Sequence, residues 1–149
     1  MMGEVFVDRE STSDLLAGTV EAGDTSARLG LKDELLQLQD ELGHGHPDVL
    51  DLEEELARQY VASGDLARAR ASLEEVLIYR AVLSGDHGVR TAEVARDLFR
   101  LLCDQGDRPA MAEVYYRFLS WISMREPGSL VPELKAVLSD VEAILAENC

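Results

Sequence analysis

Cysteine is nearly missing from this chain: Cys103 and Cys149 are the only two, and the second is the last residue. That excludes a disulfide framework. Cys103 reads as a small core thiol and Cys149 as an exposed terminal one. Long apolar runs are also missing. None approaches the ~20 residues that a membrane-spanning helix needs. Basic residues are scarce: Lys and Arg number 14 against 29 Asp and Glu, a net charge of −15. Such a field repels nucleic-acid phosphates and anionic lipid, which argues against both as partners, and it attracts basic ones. The same charge also keeps a protein soluble. Lysine occurs only at Lys32 and Lys135. With abundant Ala, Leu and Val, this is the composition expected of a GC-rich bacterial genome. Met1 to Ser13 carries Glu4, Asp8, Arg9 and Glu10 among isolated hydrophobes, without the basic start and apolar stretch of a secretory signal. The expectation is a soluble, cytoplasmic protein.

Period-two alternation is the last absence. It never runs longer than Val5-Phe6-Val7 and its neighbours, so no strand is expected and residues 1–11 read as a flexible lead. A repeat is present instead. His46-Pro47-Asp48-Val49 recurs one helical hairpin later as His87-Gly88-Val89-Arg90, and each follows a leucine-glycine stop, Leu42-Gly43 or Leu83-Ser84-Gly85. Gly23-Asp24 recurs as Gly64-Asp65 and again as Gly106-Asp107, at nearly the same interval. A fixed period of this size, roughly 40 residues, indicates stacked two-helix units.

Seven helices are expected, over about 12–22, 25–42, 47–63, 66–83, 88–104, 109–124 and 129–148. Ser11, Thr12 or Ser13 would cap the first and Gly23 would stop it. Pro47 suits the first turn of the third. Apolar stripes at i, i+3, i+4, i+7 give each helix one buried face, such as Val49, Leu52, Leu56 and Tyr60, or Leu134, Val137, Leu138, Val141 and Ile144. Short loops make sequence neighbours antiparallel, giving hairpins at about 12–42, 47–83 and 88–125. The last helix has no partner and would cover the open end of the array. Tyr115, Tyr116, Phe118 and Trp121 cluster on the sixth helix, most of them in the core and one or two on a surface.

The stretch Leu42-Gly43, His46-Pro47-Asp48-Val49, Leu56-Ala57, Tyr60, Gly64, Ala67, Ala69, Leu73, Leu77, Leu83 resembles a tetratricopeptide repeat. It is most similar to the long repeat of kinesin light chains and their bacterial relatives. The resemblance covers roughly residues 12–125. It fades in the outer copies, where Gly88 replaces the usual Pro and Phe99 a usual small residue. Ala57, Ala67 and Ala69 are small where two helices would approach closely, and Tyr60 and Leu73 are large where the opposite helix leaves a hole. The implied fold is all-α: a right-handed solenoid of about three hairpins with a C-terminal capping helix.

The resemblance also implies a concave wall made by the first helix of each hairpin. There the family often carries an asparagine pair that contacts a bound peptide. The matching positions are Glu54-Glu55 and Arg96-Asp97, so charge-based recognition is expected instead. Glu54, Glu55, Arg58, Arg96, Asp97 and Arg100 would line a mixed, acid-leaning groove, with Tyr60 as an aromatic wall. The alternative is a solvated helix face laced with ion pairs such as Glu54 with Arg58.

Other chemistry is set aside. His44, His46, Asp48 and His87 lack the spacing of a metal site, and His46 is explained as a helix cap. Cys103 lies at a packed helical position without a neighbouring histidine base. Glu53, Glu54 and Glu55 fan out over different helix faces and do not converge. No phosphate-cradling glycine loop occurs. No catalysis and no cofactor are expected. The expected function is an adaptor that holds a basic or mixed-charge segment of a partner protein, with homodimeric self-assembly, or a regulatory or accessory subunit of a larger complex, as the alternative.

Overall fold

The computed structural model describes the backbone of residues 18–148 and the side chains of residues 29–147. The expected lead over 1–11, the first helix's N-terminal cap and Cys149 lie outside the described residues. Helix α1 spans Gly18–Leu42, α2 Pro47–Ala62, α3 Leu66–Ser84 and α4 Val89–Gln105. Helix α5, Arg108–Val114, runs on through a π-helical turn, Tyr115–Leu119, into the short α6, Ser120–Ser123. A 3-10 turn at Pro127–Ser129 leads to α7, Pro132–Asn148. The described residues contain no strand. Among them no helix is long and apolar enough to cross a membrane.

Four glycines set this punctuation. Gly43, Gly64, Gly85 and Gly106 are evenly spaced along the chain, and all have positive φ, between 74° and 92°. That left-handed conformation lacks a steric penalty only in a residue without Cβ, and it ends a helix. One helix with its turn therefore takes half of the repeat read from the sequence. Three of the helices that follow are then capped by a side chain. His46 Nδ1 accepts the Asp48 N–H at 3.1 Å ahead of Pro47. Asp65 and Asp107 each accept the N–H three residues on, both at 3.2 Å. Gly88 begins α4 without a side-chain cap, and a Cβ there would fall 2.7 Å from the Ser84 carbonyl oxygen.

The stop expected at Gly23 is absent. Helix α1 runs unbroken through Gly23 and Gly30 for 25 residues. A glycine costs a helix interior only about 1 kcal/mol, and a single one does not end it. The expected first hairpin is, over its described part, one long helix.

Each helix lies against its chain neighbours: α1 on α2, α2 on α3, α3 on α4, and α4 on α5 and the π turn. Helix α7 folds back onto α4 and touches α6 more lightly. One continuous core results, running from Leu35 through Val49, Leu56, Leu73, Val76, Leu98 and Ile122 to Val137, Val141 and Ile144. Ala57 and Ala69 are buried as their size suggests, whereas Ala67 is exposed. Phe99, large where the repeat pattern calls for a small residue, is fully buried beside Tyr115 at a ring distance of 6.1 Å.

Candidate functional site

Helices α2 and α4 carry the same ladder facing one another across α3. On α2 it is Glu54, Ala57, Arg58 and Val61; on α4 it is Asp97, Arg100, Leu101 and Asp104. Both follow i, i+3, i+4, i+7, the spacing that places residues on one helix face. Leu66 and Leu73 of α3, two turns apart, complete the lining between them. The groove so enclosed has a volume of about 230 Å³. Its lining is half aliphatic, and its charges are three carboxylates and two guanidinium groups.

Those five charges are unequal. The Glu54 side chain is 8% exposed and saturated. Its Oε2 accepts from Arg80 Nε at 3.0 Å and Nη2 at 2.8 Å, and its Oε1 accepts from Arg90 Nη2 at 2.9 Å. Arg80 also donates to Asp51 at 2.6 Å. Glu54 thus ties α2 to α3 and α4. Arg58 donates twice to Glu55 Oε1, at 2.7 and 3.1 Å. Together with a bond from Gln59, this holds the Glu55 carboxyl below its usual range. Asp97 accepts from Arg96 at 3.1 Å. Arg100 and Asp104 are both exposed and make no hydrogen bond or ion pair among the described residues. They are the two charges of the groove without such a contact.

Of the residues expected to bind a partner, Glu54, Arg58, Asp97 and Arg100 share the groove and the other three do not. Tyr60 is buried in the core rather than standing as an aromatic wall. Arg96 turns away to Asp140 of α7, at 3.1 Å. Glu55 holds Arg58 from outside the lining, so the expected pairing of Arg58 with Glu54 is replaced by one with Glu55. Ala57, Val61, Leu66, Leu73, Leu101 and Asp104 join the lining beyond that expectation, although four of them continue the same helical ladders.

Glu53 points elsewhere again. It is buried and faces Glu75 of α3, with Oε1 lacking any hydrogen-bond partner. Burial above all, then the charge of Glu75 and a hydrogen bond with it, push the Glu53 pKa up to about 8. His44 Nδ1 stands 3.7 Å from Glu75 Oε2 on the open side. The three glutamates therefore do not converge: Glu53 faces Glu75, Glu54 joins Arg80 and Arg90, and Glu55 pairs with Arg58 and Gln59 on its own helix. No group of three or more His, Cys, Asp or Glu side chains among the described residues is arranged to hold a metal ion. No protein-family model matches the chain, and no curated protein matches it in sequence.

Proposed function

We propose that this chain is a non-catalytic interaction adaptor. In this reading its hairpins are tetratricopeptide-like, stacked in a short right-handed solenoid with α7 as the cap. A segment of a partner protein docks between α2 and α4. The supporting observation is the groove itself: an aliphatic floor beneath two unengaged charges of opposite sign, Arg100 and Asp104. A desolvated apolar anchor with a polar rim is what concentrates binding energy in protein recognition. Complementary rim charges set orientation and on-rate. The fitting guest has one large apolar side chain, a basic residue on the Asp104 side and an acidic one near Arg100.

Self-assembly is the second reading, and one observation favours it. Ile78 and Val82 stand one turn apart on α3, 63% and 77% exposed. Apolar pairs of this size on a surface mark contact sites when they join into a patch.

Photo-crosslinking separates the two. A benzophenone amino acid replaces Val61 in the groove or Val82 on α3. The adaptor reading expects a hetero-adduct from position 61 and none from 82. Self-adducts from position 82 alone would instead support the homodimer.

A further inference from the structure

At the far end of the array a second concavity opens between α4, the α5–π segment and α7. It holds about 320 Å³, within the size range of small-ligand pockets. Phe99 and Tyr115 form one wall, Tyr116 stands at the edge, and Met111 and Leu145 close the sides. The Tyr115 and Tyr116 rings meet edge-on, 5.2 Å apart at 82°. Consecutive helical residues ordinarily point about 100° apart. Here the π turn beginning at Tyr115 widens the helix and leaves both rings beside one cavity. The same turn leaves Tyr116 74% exposed, although a phenol of this size usually covers apolar surface.

Arg108 is the one charged residue in this lining. It is exposed, and its side chain makes no hydrogen bond or ion pair among the described residues. Among the described residues Arg58, Arg68, Arg70, Arg80, Arg90, Arg96 and Arg117 hold carboxylates, whereas the Arg108 guanidinium, like those of Arg100 and Arg125, holds none and stays available to an anion.

We propose that this pocket binds a small aromatic monocarboxylate. The ring lies against Tyr115 and Tyr116 in the offset or edge-on contacts that aromatic groups prefer. The carboxylate takes the fork of Arg108, whose planar donors match it two to two. The site is independent of the α2–α4 groove and of the adaptor reading.

The test uses the full chain and 3-phenylpropionate, with 3-phenylpropanol and 3-phenylpropylamine as uncharged and cationic controls. Binding is read by saturation-transfer NMR and calorimetry. The acid is expected to bind at least about tenfold tighter than the alcohol, the margin of a charge-assisted pair, and the amine weakest. Arg108→Gln should erase the difference between acid and alcohol. Ala112→Trp, which fills the exposed lining position, should abolish binding of both while the helical circular dichroism is unchanged. Tyr116→Ala should weaken both ligands and serves as a second variant should the bulky indole disturb the fold. No saturation transfer at millimolar acid, equal binding of acid and alcohol, or full binding by both Ala112→Trp and Tyr116→Ala would each overturn the proposal.

Discussion

Glu54 and Arg80 meet across the α2–α3 interface with both side chains more than nine-tenths buried, and Arg80 Nε and Nη2 converge on a single oxygen, Glu54 Oε2. A buried pair of this kind adds little over a well-packed apolar pair, yet losing one partner strands the other charge in a low dielectric. Glu54→Ala leaves Arg80 against Asp51 alone and removes the Arg90 contact. It should lower stability by about 3 kcal/mol. The double variant Glu54→Leu with Arg80→Met should recover most of the loss. Urea unfolding measures both, and a midpoint for Glu54→Ala that matches the parent would show the pair to be idle.

The Glu53 carboxyl titrates in the wrong direction for stability at neutral pH. Its folded pKa of about 8 lies above the ordinary value of 4.5, so between these values the folded state holds a proton that the unfolded chain releases. The stabilising contribution is full below about pH 4.5. It falls as pH rises through the window, by at most about 1.4 kcal/mol per unit, and is gone above pH 8. Glu53→Gln mimics the protonated form and should flatten this slope while raising stability near pH 8. Urea midpoints at a series of pH values decide it; parallel profiles for parent and variant would contradict the assignment.

Two glycines should answer the same substitution with opposite signs. Gly64 has φ of +84° and open space where a Cβ would go, so Gly64→Ala meets only the backbone penalty of about 1–2 kcal/mol. Gly30 lies inside α1 with nothing within 4 Å, and Gly30→Ala should stabilise by up to about 1 kcal/mol. Thermal unfolding of the two variants checks the pair; a gain from Gly64→Ala would mean that the turn does not need the left-handed residue.

Removing residues 129–149 uncovers the face of α4 against which α7 lies. Leu134, Val137, Val141 and Ile144 are buried there and account for several kcal/mol at about 25 cal/mol per Å². The truncated chain should aggregate, read as a rise in light scattering. A soluble truncation with full helicity would show that α7 is dispensable as a lid.

The sequence shows most of the helix boundaries because glycine and cap residues mark them locally: Gly43, Gly64, Gly85, His46 and Asp65 each act within a few residues. Gly23 misleads for the same reason, since only the surrounding helix decides whether a glycine ends it. The groove is legible where it depends on helical spacing, as with Arg58, Asp97 and Arg100. Its occupancy is not, because the partners of Glu54 lie 26 and 36 residues away. Tyr60 keeps the buried face that the apolar stripe gives it and fails only as a groove wall, while Arg96 escapes a sequence reading because a helix pattern does not reveal which neighbour claims each face. The π turn at Tyr115 leaves no trace in the apolar stripe, since the register shift still presents Phe118 and Leu119 inward.

The proposed docking groove is tested most directly by reversing its two charges that lack partners among the described residues, Arg100→Glu and Asp104→Lys together, in a co-precipitation from a native cell extract followed by quantitative mass spectrometry. Neither side chain has a partner to lose among the described residues, so the melting temperature should stay within a few degrees of the parent. The predicted result is a drop of at least about tenfold in the main co-purifying protein, with the fold intact. Equal recovery by the parent and the doubly reversed chain would contradict the groove as the docking site.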